Sequence, residues 1–109
     1  ETISDNGVHC CLVKGKPLEN WQNYDRLNSE VNLYIDDELM CGGRGKNVLE
    51  DPLNSISWLA NKLIERGKYI QSGEIITTGN TCDKPIFVEK NKFIRAVFDN
   101  LGEVGISFS

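Results

Sequence analysis

Residues 44–64, RGKNVLEDPLNSISWLANKLI, decide the fold, because they join a glycine-rich strand end to a helix start and an amphipathic helix. Asp51 is suited to cap that helix, since its carboxylate can accept hydrogen bonds from the free N–H groups of the first turn. Pro52 then occupies the first helical position, where its missing N–H costs nothing. Gly67 lies where a left-handed C-terminal cap is expected. The pattern predicts a helix over residues 52–66.

The apolar residues of this segment recur at the spacing of one helical face. They are Leu53, Ile56, Leu59, Ala60, Leu63 and Ile64. We expect this face to pack against the strands predicted at 31–44 or 93–108. Trp58 is interpreted as a partly buried packing residue rather than as part of a ligand site.

Short alternating or β-branched segments surround the helix and predict strands. Residues 31–44 and 93–108 each contain a turn signal and predict β-hairpins, while 7–13, 74–79 and 85–89 predict single strands. No internal repeat or linker interrupts the 109 residues, so one domain is expected. The fold class is therefore α+β, mostly antiparallel β-strands with one main amphipathic helix.

The composition is ordinary for a globular chain and excludes several classes of partner. Charged residues make up 26% and hydrophobic residues 39%, and the net charge is −4. Because no basic run is present, neither nucleic acid nor an anionic membrane surface is an expected partner. No apolar stretch approaches the length of a membrane span.

The four cysteines lie at positions 10, 11, 41 and 82, and His9 is the only histidine. No CxxC pair is present, so a structural zinc site is not expected. We expect reduced thiols that serve mainly as small buried hydrophobes, in a cytoplasmic protein. His9, among apolar neighbours, is interpreted as a strand residue rather than a general base.

Four segments in series resemble the C-terminal half of one enzyme family. They are residues 2–17 (TISDNGVHCCLVKGKP), 42–63 (GGRGKNVLEDPLNSISWLANKL), 72–80 (SGEIITTGN) and 93–108 (FIRAVFDNLGEVGISF). The series is similar to the 2-keto-4-pentenoate hydratase and 4-oxalocrotonate decarboxylase family of the fumarylacetoacetate hydrolase superfamily. The resemblance implies that residues 1–109 form the C-terminal part of that catalytic domain, one half of a mixed β-sandwich or roll.

The resemblance also implies an activity. Members of this family are metal-dependent lyases of aromatic-compound catabolism that act on small anionic 2-oxo or 2-hydroxy dienoic acids. A divalent ion, Mg²⁺ or Mn²⁺, acts there as a Lewis acid that stabilises an enolate. Water then adds to the activated double bond, or CO₂ is lost in the decarboxylase branch.

The metal carboxylates of the family, including a Glu-x-Glu pair, lie upstream of the segment that this chain resembles. This chain has no Glu-x-Glu, and the acidic run 36–38 has the position of a hairpin tip. We therefore expect no metal on this chain alone and no activity without the rest of the enzyme. The alternative is a non-catalytic half-domain that serves assembly or small-ligand binding. In either case we expect accompanying residues beyond these or a homo-oligomer, because half a domain leaves strand edges and apolar surface open.

One pair and one triplet of residues in the resembling segments are candidates for substrate contact. Asp5 and Asn6 match an Asp-Asn that could contact the substrate or a metal-bound water, or could satisfy the backbone of a turn. Thr78, Gly79 and Asn80 match a Thr-Gly-small motif at a strand end. Their hydroxyl and N–H groups could receive a substrate carboxylate, with glycine permitting close approach, or they could form only a tight strand exit.

The glycine-rich strand end supplies two further candidates, Arg44 and Gly45. Arg44 could pair with an anionic substrate, although a solvated arginine is the alternative. The chain departs from the family pattern at Glu50-Asp51, where many relatives have Gly-His or Gly-Asn, and again at residues 80–83. Asp51 can still cap the helix, but any role of the family histidine is lost.

Overall fold

The computed structural model of the protein describes residues 10–109. Regular structure within this range comprises one α-helix, four β-strands and two 3₁₀ turns. These are the 3₁₀ turn Trp21–Asn23, β1 (Glu30–Ile35), β2 (Glu38–Arg44), the 3₁₀ turn Gly45–Asn47, α1 (Pro52–Glu65), β3 (Phe93–Phe98) and β4 (Gly102–Ser107).

The four strands form a single open sheet in the order β2-β1-β3-β4. Every neighbouring pair is antiparallel, and Val31 of β1 lies opposite both Gly43 of β2 and Phe98 of β3. Both predicted hairpins, 31–44 and 93–108, are confirmed. The α+β class with mostly antiparallel strands and one helix is confirmed as well.

The tip of the first hairpin also anchors the second one. Asp36 and Asp37 both have positive φ values, 46° and 66°, as the two-residue turns preferred in hairpins require. The Asp36 carboxylate accepts a hydrogen bond from the backbone N–H of Phe93 at 3.0 Å and pairs with Lys92 at 3.1 Å. The acidic run 36–38 therefore forms a turn that fixes the start of β3.

The helix begins as predicted and ends one residue earlier, at Glu65. Asp51 is the N-cap, and its carboxylate accepts a hydrogen bond from the N–H of Leu53 at 2.9 Å. Gly67 has φ 71°, and the following Lys68 donates its N–H to the carbonyl of Leu63 at 2.8 Å. This is the left-handed cap that the glycine predicted.

The expectation that the helix packs on the predicted strands is wrong. Helix α1 makes no extensive contact with β1, β2, β3 or β4. Part of its apolar stripe is half-buried, but Ile64 is 65% exposed and Trp58, expected to be partly buried, is 62% exposed. An apolar stripe indicates that a face is to be covered, but it does not specify which element covers it. Within residues 10–109 this face is only partly covered.

The three single strands predicted outside the hairpins are not found in the described residues. Residues 74–79 and 85–89 are irregular, as are residues 10–13, while the rest of the predicted strand 7–13 lies outside the described residues together with His9. β-Branched residues favour extended backbone, but a strand also needs a paired edge. Neither segment meets one within the described range.

The expectation of reduced, buried cysteines is also wrong. Cys41 and Cys82 form a disulfide with their Cα atoms 6.1 Å apart, a separation in the usual range for such a bridge. Cys10 and Cys11 are free but exposed. The bridge joins residues 41 positions apart in the sequence, and spacing of this size carries no signal of pairing.

None of the helices within residues 10–109 is both long enough and apolar enough to cross a membrane.

Candidate functional site

A cleft of about 290 Å³ lies where the 3₁₀ turn after β2 meets the loop before β1 and the segment 78–81. Its walls combine apolar side chains with hydroxyl, amide and backbone groups. The lining residues are Tyr24, Arg26, Ser29, Val31, Gly45, Val48, Pro52, Thr78, Gly79, Asn80, Thr81, Phe98 and Leu101.

One wall depends on the close approach of two backbone segments at Gly45. This glycine is buried, and a Cβ atom added to it would overlap the carbonyl group of Arg26. The next residue, Lys46, donates its N–H to the carbonyl of Leu27 at 3.0 Å. This contact holds the loop before β1 against the end of β2, and it requires a glycine at position 45.

The opposite wall is the segment around Gly79, whose φ of 134° favours glycine. A Cβ atom there would lie 3.0 Å from Val48 Cγ1. Val48 is the buried hydrophobic residue of the described range, only 6% exposed. The Gly79 backbone therefore covers Val48 at the floor of the cleft.

Two interactions join this wall to β2 and the turn after it, and a third lies within the wall itself. Asn47 Nδ2 donates to the carbonyl of Thr81 at 3.0 Å, and the Asn80 side-chain oxygen accepts from the N–H of Cys82 at 3.1 Å. The disulfide then joins Cys82 to Cys41 of β2. The segment 78–82 is thus positioned without belonging to a strand.

Thr78 provides a hydroxyl group that is available for a ligand. It is half-buried and lines the cleft, and within residues 10–109 no hydrogen bond engages its side chain. In Asn80 the side-chain oxygen is engaged, which leaves its amide N–H₂ group as a donor. Together they can present an O–H and two N–H donors to an anion.

An ion pair that sequence reasoning missed borders the cleft. Arg26 Nε donates to Asp51 Oδ1 at 2.9 Å, and Arg26 Nη2 donates to Asp51 Oδ2 at 2.6 Å. The pKa of Asp51 is lowered, first by this hydrogen bond and then by that of the Leu53 N–H. The same bond raises the pKa of Arg26. The departure from the family at Asp51 was a signal that its surroundings differ, but nothing in the sequence pointed to residue 26 as its partner.

The structure brings together four of the seven residues proposed from the sequence. Gly45, Thr78, Gly79 and Asn80 all line the same cleft, although they come from two segments more than 30 positions apart. Arg44 does not line it; its guanidinium pairs with Glu30 at 3.0 Å. Asp5 and Asn6 lie outside the described residues.

A larger cavity of about 510 Å³ lies beside the first and shares Phe98 and Leu101 with it. None of the residues proposed from the sequence borders it. We therefore regard the smaller cleft, where four of those residues meet, as the candidate site.

The described residues do not fit a metal centre on their own. Within residues 10–109 no three histidine, cysteine, aspartate or glutamate side chains lie close enough to share an ion. Among the described residues that line the cleft, none carries a carboxylate side chain. A divalent ion prefers several oxygen ligands, commonly carboxylates, and these would have to come from other residues.

A scan against protein-family profiles finds no match. Among curated proteins, a 2-keto-4-pentenoate hydratase of Paraburkholderia phymatum is 28% identical over 109 residues, covering 100% of this chain and 41% of the relative. A 4-oxalocrotonate decarboxylase of Pseudomonas putida is 30% identical over 106 residues, covering 97% of this chain and 40% of the relative. The chain thus spans about two-fifths of the length of these relatives.

A comparison with solved structures finds similarity to the same group of enzymes. The 4-oxalocrotonate decarboxylase of Pseudomonas putida G7, complexed with magnesium and adipate, superimposes with a TM-score of 0.77 at 31% identity. The match covers 82% of this chain and 34% of that one. The same enzyme complexed with calcium and acetate matches equally well. The matching part is the C-terminal portion of the enzyme.

Proposed function

Because the chain is homologous to the C-terminal portion of 2-keto-4-pentenoate hydratases and 4-oxalocrotonate decarboxylases, we propose that it is part of a lyase of that type. The complete enzyme acts on small anionic 2-oxo or 2-hydroxy dienoic acids of aromatic-compound catabolism. We favour hydration, with decarboxylation as the second branch. Residues 1–109 form the C-terminal part of one catalytic domain and are inactive alone.

One observation carries the proposal beyond homology: two separate resembling motifs meet at a single cleft. Gly45 and the Thr78-Gly79-Asn80 segment line it together. A small 2-oxo acid needs hydrogen-bond donors for its carboxylate, and the Thr78 hydroxyl and Asn80 amide are of that kind. Gly79 leaves room for a ligand to approach the backbone.

The remaining sequence candidates keep their proposed roles with different strength. Asp5 and Asn6 are proposed to contact the substrate from outside the described range. Arg44 pairs with Glu30 away from the cleft, so a direct contact would require that surface ion pair to open. Surface pairs of this kind contribute little stability and can open, but Arg44 does not line the cleft and is therefore the weaker candidate.

A divalent ion, Mg²⁺ or Mn²⁺, is proposed for the complete enzyme. The Pseudomonas putida decarboxylase is complexed with calcium or magnesium in its solved structures. Bound in the parent enzyme, such an ion would supply Lewis-acid stabilisation of developing negative charge. We propose that its carboxylate ligands lie in another part of the complete enzyme, which corresponds to the three-fifths of the relatives that this chain does not match.

The alternative is a half-domain that binds a small ligand or serves assembly without catalysis. The observation that favours it is that no carboxylate is among the described residues that line the cleft. A cytoplasmic location and a homo-oligomer are proposed under either function. The homo-oligomer is proposed because many large apolar side chains are exposed, which is rare in proteins that remain monomeric.

The test is an assay of the complete protein that carries these residues, with a 2-hydroxydienoate and Mg²⁺ or Mn²⁺. Loss of the conjugated diene absorbance without CO₂ release identifies a hydratase, and CO₂ release from a 4-oxalocrotonate-type diacid identifies a decarboxylase. We expect turnover that stops when the metal is chelated. If the complete protein binds the acid but turns over neither substrate, the non-catalytic alternative is correct.

A further inference from the structure

Arg26 is the only charged residue among those that line the candidate cleft in the described part of the chain. This is notable in a protein that has 16 acidic and 12 basic residues and a net charge of −4. Asp51, which pairs with Arg26, is not among the described residues that line the cleft. The N–H groups of Arg26 that Asp51 leaves free suit an anionic occupant better than a cationic one.

The geometry of the Arg26–Asp51 pair leaves one edge of the guanidinium available. Asp51 engages Nε and Nη2, while no hydrogen bond within residues 10–109 engages the two N–H groups of Nη1. The side chain of Arg26 is 41% exposed. Because Asp51 also caps helix α1, it is itself fixed, so the guanidinium is held in one orientation.

We propose that Arg26 is a specificity-determining residue, which binds a carboxylate of the substrate through its Nη1 edge while Asp51 holds the guanidinium in place. The Thr78 hydroxyl and the Asn80 amide complete the donors for the same carboxylate or for the neighbouring 2-oxo oxygen. This inference rests on the proposed function, because it assigns the substrate of that cleft as a carboxylic acid. It adds a residue that neither the sequence motifs nor the similarity pointed to.

A purely structural role is the competing explanation, in which Arg26 only ties the loop before β1 to the start of α1. Such a role would affect stability but not the choice between anions and neutral ligands. Arg95 offers a matched control, since it too is held by a carboxylate, that of Glu103 at 3.0 Å. It lies three positions from Phe98 on β3, and its side chain therefore points to the opposite face of the strand.

The experiment measures adipate binding to the complete, metal-loaded protein by titration calorimetry, with folding of each variant checked by circular dichroism. We expect Arg26→Gln to weaken adipate binding about tenfold or more, the loss typical of a hydrogen bond to a charged group. The adipate affinity of Arg26→Lys should lie between those of wild type and Arg26→Gln, since lysine keeps the charge but not the planar guanidinium. Arg95→Gln should remain within about twofold of wild type.

A second measurement uses the unaltered protein, in case Arg26→Gln does not fold. Phenylglyoxal modifies accessible arginines, and mass spectrometry of the peptides locates the adducts. Adipate should protect Arg26 from modification and leave Arg66 unprotected. Adipate affinity that is unchanged in a folded Arg26→Gln variant, equal losses in Arg26→Gln and Arg95→Gln, or modification of Arg26 unaffected by adipate would each overturn the inference. Calorimetry measures adipate binding without turnover. A failed lyase assay would therefore contradict the proposed function without contradicting the role of Arg26 in binding.

Discussion

Cys41 on strand β2 is bonded to Cys82, two residues after the Asn80 that lines the candidate cleft. The bridge therefore joins the sheet to the wall of the cleft that no strand pairing holds. We predict that reduction lowers the free energy of unfolding by about 2–4 kcal/mol, as expected for closing a loop of this length. Urea denaturation with and without a thiol reductant measures the difference.

The double variant Cys10→Ser with Cys11→Ser is the matched control, because these exposed thiols are free. It should respond to reductant as the wild type does. A wild-type protein whose urea midpoint is the same in both conditions would show that the bridge does not stabilise the fold. Such a result would suit the reducing cytoplasm that the sequence predicted.

The floor of the cleft provides a packing test. Val48 is 6% exposed and lies under Gly79, so Val48→Ala should lower the free energy of unfolding by about 1–3 kcal/mol. The neighbouring Leu49 is 64% exposed, and Leu49→Ala should change the free energy of unfolding by no more than about 0.5 kcal/mol. Equal effects of the two substitutions in urea denaturation would show that Val48 is not packed as described.

The Asp51 carboxylate should make stability depend on pH. Its pKa in the folded protein is lowered, mainly by Arg26, relative to about 3.9 in an unfolded chain. The stabilisation is therefore complete above about pH 4 and is lost as the pH falls through the lower, folded-state pKa. Asp51→Asn keeps a helix cap but removes the charge.

We accordingly predict that wild type and Asp51→Asn differ in urea midpoint at pH 7 and converge as the pH is lowered toward 3. Asp25 and Asp36, whose pKa values are also lowered, remain in both proteins and cancel in the comparison. A difference that stays constant from pH 7 to pH 3 would show that the Arg26–Asp51 pair does not contribute through its charge.

The exposed apolar side chains predict association of the 109-residue chain. Phe87 is 87% exposed, Tyr69 70% and Trp58 62%, so self-association or docking of further residues would bury apolar surface. We expect the mass measured by sedimentation velocity to rise with concentration, and Phe87→Ser to reduce that rise. Lys84→Ser, an exposed polar position nearby, serves as control. A monomer that persists at high concentration would contradict the half-domain interpretation.

The elements that the sequence predicted correctly are those whose signals are local. Asp51, Pro52 and Gly67 mark the ends of α1 by their own backbone preferences, and the turn at Asp36-Asp37 marks a hairpin in the same way. The strands predicted at 74–79 and 85–89 failed because pairing depends on an available sheet edge. That edge is a property of the fold rather than of the segment.

The candidate site follows the same division. Motif similarity identified Gly45 and residues 78–80, and the cleft brings them together. It did not identify Arg26 or the bridge of Cys41 to Cys82, because both are contacts between distant segments without a sequence signature. The partner of a charged or sulfur-bearing side chain becomes visible only when the chain is folded.

The most direct test of the proposed site is a crystal structure of the complete protein with Mg²⁺ and adipate. We predict that one adipate carboxylate lies in the cleft between Gly45 and Gly79, within hydrogen-bond distance of Thr78 Oγ1 or Arg26 Nη1. Adipate bound elsewhere, with no polar contact to residues 78–80 or to Arg26, would contradict it.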